Sequence, residues 1–286
     1  MKNKICLITG ATSGIGKAAA LELADLGASL ILLSRNEKKG EKICEEIKKI
    51  NNNVQVKFIK INISSMNEVR NVSERIKTDF DRIDVLINNA GARFDKYFKN
   101  DEGIELTFAT NHLGHFLLTL SVLEMLKKSA QGRIINVSSP AHSRATEELD
   151  DIIAPVQYDR RLAYGRSKLA NLYFTYELSN RLKNTNITVN AVDPGGVATN
   201  FSRNNGLYAW LKHYLSYILQ LKLISPQKAA ETIGYLASSW DLSVTTGKYI
   251  FEKNEINSSP ASYSKDAALK LWQLSLKLTG IDDPLN

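Results

Sequence analysis

The chain is short of cysteine, of histidine and of uncharged hydrophobic length, and each shortage removes a class of protein. Two cysteines among 286 residues, Cys6 and Cys44, cannot build a disulfide framework. Each sits in an apolar or amphipathic run, as a buried thiol in a reducing compartment does. No window of about 18 residues is free of charge, so a spanning helix is not expected. The most apolar window, 207–224, holds Lys212, His213 and Lys222, and a lysine at the centre of a spanning helix costs about 2.5–3.5 kcal/mol. The chain opens Met-Lys-Asn-Lys and runs directly into strand-like residues, without the apolar stretch and small-residue cleavage site of a signal peptide. Repeats, low-complexity tracts and long linkers are missing as well. The expectation is a soluble, cytoplasmic protein with peripheral membrane contact as its only link to lipid.

What is present is ordinary in bulk and unusual in charge. Apolar residues make up 43% and charged ones 23%, which excludes disorder and fibrous repeats. Thirty-seven basic residues against 30 acidic ones give a net charge of +7 and a pI near 9.2. Nucleic acid, an anionic membrane or an anionic ligand would each account for that excess. The basic residues are scattered among acids almost everywhere, with no basic stripe or aromatic platform, so nucleic acid is not expected. At roughly 150 residues per domain the length fits two domains, but α/β folds of roughly 250 residues also form one.

Short aliphatic runs alternate with longer amphipathic ones. Strands are expected at Lys4–Thr9, Ser29–Ser34, Val54–Ile61, Val85–Asn88, Gly132–Ser138, Thr188–Asp193 and Lys248–Phe251. Helices are expected at Ile15–Leu26, Glu37–Ile50, Met66–Phe80, Gly103–Lys128, Ala163–Lys183 and Pro226–Ser238. Apolar runs without alternation suit strands covered on both faces. The pattern predicts an α/β, doubly wound, mainly parallel seven-stranded sheet in one domain, with ligands beyond the carboxyl ends of the strands.

The first strand runs into Gly10-Ala11-Thr12-Ser13-Gly14-Ile15-Gly16 and at once into a helix. Glycines there permit a sharp turn, close approach of a phosphate and close helix packing, and the helix N-terminus favours an anion. Alone, such a turn is a weak signal. The spacing Gly-x₃-Gly-x-Gly resembles that of the short-chain dehydrogenase/reductase family, which implies a Rossmann fold and a nicotinamide dinucleotide. The second strand ends in Ser34-Arg35, with no Asp or Glu between Asp25 and Glu37. Arginine there suits a ribose 2′-phosphate, so NADP(H) is expected ahead of NAD(H).

The resemblance extends through the rest of the chain. Asn62-Ile63 stands where the family usually has an aspartate that accepts from the adenine amino group, and Asn62 keeps one acceptor oxygen without the charge. Asn88-Asn89-Ala90-Gly91 matches an element that lies beside the adenine ribose. Tyr164 and Lys168, one helical turn apart, match the acid–base tyrosine and its lysine, because an ammonium favours the phenolate. Ser139 matches the serine that hydrogen-bonds the substrate oxygen, with Ser138 as the neighbouring alternative. Asn111 matches the fourth catalytic member, which distorts its helix and holds a water linked to the lysine. Pro194-Gly195 matches the turn over the nicotinamide, with the Val197 backbone meeting the carboxamide and Thr199 the pyrophosphate or carboxamide. His112 and His115 read as packing or capping residues, and His142 and His213 carry no motif.

The gap 164 − 139 = 25, the string Asn111-His112-Leu113-Gly114-His115-Phe116 and the closing Leu271-Trp272-Gln273-Leu274-Ser275 resemble the retinol dehydrogenase and WW-domain-oxidoreductase-like branch. Many of its members begin with a membrane anchor. The implied activity is oxidoreduction of an alcohol or carbonyl in an apolar small molecule. A catalytically weak, NADP(H)-binding regulator is the alternative, and a homo-oligomer is possible in either case. Specificity is expected in a lid at about 196–226. From Pro194 to Ala230 there is no acid, while Arg203, Lys212, Lys222 and Lys228 are present. That segment is either an ordinary lid helix or a cover for an acyl-like or terpenoid substrate that also touches anionic lipid.

Overall fold

Aliphatic, β-branched-rich runs form the strands of one sheet in a computed structural model that describes residues 1–146, 152–155, 157–197 and 224–285. The strands are β1 Ile5–Thr9, β2 Ser29–Ser34, β3 Val56–Lys60, β4 Val85–Asn88, β5 Gly132–Val137, β6 Ile187–Asp193, β7 Tyr249–Phe251 and β8 Asn254–Glu255. Their order is β3-β2-β1-β4-β5-β6-β7-β8. All neighbours pair in parallel except the last, β7 with β8. The seven expected strands are therefore present, and an eighth adds to the expectation. Glu252 and Lys253 both adopt positive φ (46° and 67°), which turns β7 back on itself in a two-residue hairpin. Glu-Lys is not a typical sequence for that turn, so nothing in the sequence announced it.

Alternate residues of each strand enter different cores. Leu7, Ile31, Leu33, Leu86, Ile134 and Val189 face one layer. It holds α3 Met66–Asp79, α5 Gly114–Ser121, α7 Arg160–Arg181 and α9 Lys265–Thr279. Cys6, Ile8, Leu30, Leu32, Ile87 and Val192 face the other, with α1 Gly14–Asp25, α2 Glu37–Ile50 and α8 Pro226–Ser238. Cys6 is fully buried and Cys44 half-buried, and both are free thiols. Burial pushes the Cys6 thiol up to about 12, so it packs as a small hydrophobe.

The expected helix Gly103–Lys128 is broken. Gly103 takes φ 80° in a turn, and Glu105 then caps α4, Leu106–Phe108, by accepting from the Thr107 and Phe108 amides. A π-helical segment, Ala109–Leu113, follows before α5. Val122 leaves the helical region, with φ −103° and ψ 8°, and ends α5 ahead of α6, Leu123–Lys127. Among the described residues no helix is long and apolar enough to cross a membrane. Most of the lid, including Thr199, Arg203, Lys212, His213 and Lys222, lies outside the described residues.

Candidate functional site

The nucleotide crevice begins where β1 ends. Gly10 has φ +68° and Gly14 φ +54°, conformations that favour glycine. A Cβ on Gly16 would lie 2.3 Å from Asn89 Nδ2 and 2.5 Å from the Gly10 carbonyl oxygen, so only glycine lets α1 sit this close to the strand ends. Among the described helices of twelve residues or more, α1 alone has no capping side chain. Ser13 occupies its N-cap without bonding an amide, whereas Asn36, Ser65, Asp159, Ser225 and Ser264 cap α2, α3, α7, α8 and α9. The first amides of α1 and the positive end of its dipole are thus left for an external anion. Thr12 Oγ1 lies 2.8 Å from Ser34 Oγ, and Arg35 is exposed at the end of β2.

The ends of β3 and β4 complete the adenosine side. Asn62 Oδ1 already accepts from the Ser64 hydroxyl at 2.9 Å, and the Asn62 amide donates to Glu68. The acceptor expected to meet the adenine amino group therefore also shapes its own turn. Ile63 is buried, and its carbonyl would lie 1.9 Å from a Cβ on Gly114. Without a side chain at Gly114, the start of α5 packs directly on the Ile63 backbone at the end of β3. Asn89 Nδ2 donates to the Thr9 carbonyl at 2.8 Å. The Asn89 and Ala90 amides each donate to Thr9 Oγ1 at 2.9 Å, which holds the Asn89-Ala90-Gly91 turn against the glycine loop.

Thr9 leads to a residue the motifs did not assign. His115 Nδ1 bonds the Asn111 carbonyl at 3.0 Å, and because a carbonyl only accepts, Nδ1 carries the proton. Nε2 then accepts from Thr9 Oγ1 at 2.9 Å. Burial, with a smaller contribution from Lys168, pushes His115 down to about 4, so it is neutral. His112 stacks on Phe108 at 5.2 Å and bonds Ser275, a packing role. Asn111, fully buried in the π segment, accepts from the Ala92 amide at 2.7 Å. It donates to the Ala92 carbonyl and to Ser167 Oγ, each at 2.9 Å.

The candidate catalytic side chains converge on α7 and the end of β5. Ser167 Oγ donates to the Tyr164 carbonyl at 2.8 Å, which joins Asn111 to the tyrosine's turn. A Cβ on Gly165 would meet the Ala141 carbonyl at 2.8 Å, so α7 lies directly on the 3₁₀ turn Pro140–Arg144 that follows Ser139. Lys168 Nζ is 5.7 Å from the Tyr164 ring centroid and donates to the Val137 carbonyl at 2.9 Å. The side chain is buried, and that desolvation pushes the ammonium down to about 8.

The two serines differ in what their hydroxyls do. Ser138 is buried and donates to the Lys168 carbonyl at 2.9 Å. Ser139 is half-buried and accepts from the Ala141 amide at 3.2 Å, which leaves its O–H able to donate outward. Beyond β6, Pro194 is buried and Gly195 turns with φ +71°. Asp193 Oδ1 accepts from the Gly195 amide at 2.8 Å, and Asp193 Oδ2 accepts from Tyr249 at 2.9 Å. Burial raises the Asp193 carboxyl above its ordinary range. Val197 bridges to Ile224, and Thr199 lies outside the described residues.

Comparison with known proteins meets this geometry from outside. A family model described as short chain dehydrogenase matches residues 4–207. Retinol dehydrogenase 12 of Mus musculus is 39% identical over 278 residues, covering 97% of this chain and 87% of that protein. Retinol dehydrogenase 13 of Homo sapiens is 37% identical over 284 residues, covering 98% and 86%. Short-chain dehydrogenase TIC 32 A, chloroplastic, of Brassica napus is 39% identical over 289 residues, covering 97% and 89%. Among solved structures, an uncharacterized protein from Mycobacterium paratuberculosis superposes with a TM-score of 0.79 at 29% identity, covering 99% of this chain and 96% of that one.

Proposed function

The chain belongs to the short-chain dehydrogenase family, in its retinol dehydrogenase-like branch, and from that premise we propose an NADP(H)-preferring oxidoreductase of apolar alcohols and carbonyls. The observation that carries this reading is Tyr164 and Lys168 on one face of α7, with α7 pressed by Gly165 onto the turn of Ser139. The open N-terminus of α1 and the crowding at Gly16 fit a pyrophosphate. Arg35 at the end of β2, with no acid beside it, supports a 2′-phosphate and hence NADP(H) over NAD(H). When bound, the nicotinamide supplies or accepts the hydride.

The chain's own residues do the rest. Tyr164 gives or takes the hydroxyl proton. Lys168, buried and held by the Val137 carbonyl, places its ammonium beside the Tyr164 ring, where a positive charge favours a phenolate, and would hold the nicotinamide ribose. Ser139 donates its remaining proton to the substrate oxygen and stabilises charge developing there. Asn111 fixes the π segment and, through Ser167, the backbone of Tyr164. The Pro194-Gly195 turn and the Val197 backbone would hold the nicotinamide end of the cofactor. An apolar substrate is supported by the aromatic-rich lid sequence and by relatives named as retinol dehydrogenases.

The test is a panel of aldehydes, ketones and alcohols with the purified protein, following NADPH and NADH absorbance in parallel. Turnover with NADPH ahead of NADH is expected. Cofactor binding without turnover on any panel member overturns the enzyme and favours a binding-only regulator.

A further inference from the structure

Twenty-five positions separate Ser139 from Tyr164, so chain connectivity alone does not hold one in register with the other. The Ser138 hydroxyl ties the front of this turn to the Lys168 carbonyl. The back is tied by a residue that no motif singled out. We propose that His142 is a positioning residue for Ser139, a cross-tie that fixes the serine's turn to a platform carried by the catalytic helix; this rests on the proposed role of Ser139.

His142 is 5% exposed and uses both ring nitrogens. Nδ1 lies 2.7 Å from the Ser139 carbonyl oxygen, which only accepts, so Nδ1 carries the proton. Nε2 lies 2.9 Å from the Ser259 amide, which only donates, so Nε2 offers its lone pair. A neutral ring in a single tautomer satisfies both ends at once. A T-shaped contact with the Tyr249 ring, at 5.3 Å, holds the plane of the imidazole.

The far end of the tie is rigid for a visible reason. Ser259 precedes the 3₁₀ turn Pro260–Tyr263, which is fastened to α7 by two tyrosines. Tyr173 donates to the Ala261 carbonyl at 2.9 Å, and Tyr176 lies 2.7 Å from Ser258 Oγ. Tyr176 also stacks on Tyr263 at 5.5 Å. A path thus runs from the Ser139 carbonyl through His142 and Ser259 to α7, the helix that carries Tyr164 and Lys168. It closes a loop of contacts around the Ser139 hydroxyl. The geometry of three groups on two elements is set by hydrogen bonds rather than by the long connection between them.

The experiment compares His142→Ala with His142→Asn. The asparagine amide nitrogen takes the place of Nδ1 and keeps the bond to Ser139, but it does not reach Ser259. In the cofactor-free protein, amide hydrogen exchange should rise about tenfold at Ser259 in both variants, as for one lost hydrogen bond. At Ala141 and His142, whose amides bond Ser139, it should rise only in His142→Ala. In turnover, His142→Ala should lower kcat about tenfold with KM for the cofactor within about twofold, and His142→Asn should recover most of that loss. Unchanged exchange at residues 141 and 142 in His142→Ala overturns the proposal. So does a His142→Asn variant no closer to wild type than His142→Ala. If wild type turns over nothing, the oxidoreductase reading fails while the exchange pattern still decides whether His142 holds the turn.

Discussion

Replacing Lys168 by methionine should stabilise the protein and disable it together. Lys168 is 2% exposed, and burial lowers its ammonium from 10.5 to about 8. A folded-state value below the unfolded one means that the charge opposes folding. The penalty is fully present below about 8, where both states are protonated. It fades as pH rises from 8 to 10.5, where the unfolded chain binds the extra proton, and is gone above. At 1.36 kcal/mol per pH unit the difference amounts to about 3 kcal/mol, less about 1 for the lost bond to Val137. That carbonyl is not orphaned, because Asn171 Nδ2 also donates to it at 3.1 Å, and a methionine stem fills much the same volume. Urea unfolding of the cofactor-free proteins at pH 7 should therefore favour Lys168→Met by about 2 kcal/mol. The advantage should shrink as pH approaches 10.5, while turnover falls by about 10² or more. A variant less stable than wild type at pH 7, or an advantage that ignores pH, would refute the reasoning.

Other consequences follow from the same geometry. Tyr164→Phe should lose about 10² or more in turnover while binding NADPH as wild type does in calorimetry, since only the proton donor is removed. Gly16→Ala should weaken NADPH binding at least tenfold with the fold intact by circular dichroism, because its Cβ displaces Asn89 Nδ2 from 2.3 Å. Arg35→Ala should cost about 1.5–3 kcal/mol of NADPH affinity, as for a charge-assisted bond, and leave NADH affinity unchanged in parallel titrations. Thr9→Val removes the acceptor of the Asn89 and Ala90 amides and should destabilise by about 2–4 kcal/mol in urea, with Thr9→Ser much milder.

Much of the site was legible because its chemistry depends on residue types at fixed spacing. Gly10, Gly14 and Gly16 mark a turn that side chains would block, and Tyr164 and Lys168 share a helix face at any tertiary arrangement. Other features were not legible because they depend on partners distant in sequence. His115 and Thr9 are 106 positions apart, and His142 and Ser259 are 117 apart. A histidine that joins such distant groups has no local pattern. The break at Ala109–Leu113 escaped the helical periodicity for a related reason: apolar spacing reports which face is buried, not how the backbone bonds within it. The hairpin at Glu252-Lys253 forms although neither residue favours positive φ, because β7 pairs on one side with β6 and turns at the edge of the sheet.

The sequence by itself determined the alternation of strands and helices, the glycine loop, the basic residue at the end of β2 and the four candidate catalytic side chains. The alternation, the loop, the basic residue and the spacing of Tyr164 and Lys168 follow from properties a residue carries with it, namely size, charge, backbone freedom or helical spacing, whereas Asn111 and Ser139 were marked by their resemblance to the family's motifs. Only the tertiary structure decided that Ser138 commits its proton to Lys168 while Ser139 keeps its own, that α1 alone among the described helices of twelve residues or more has no capping side chain, and that His115 and His142 act as ties between distant groups. Those are matters of which donors and acceptors meet once solvent is excluded. The shortages noted at the outset fit that outcome, since the two thiols are free, one buried and one half-buried, and three of the four histidines, His112, His115 and His142, are buried in hydrogen bonds.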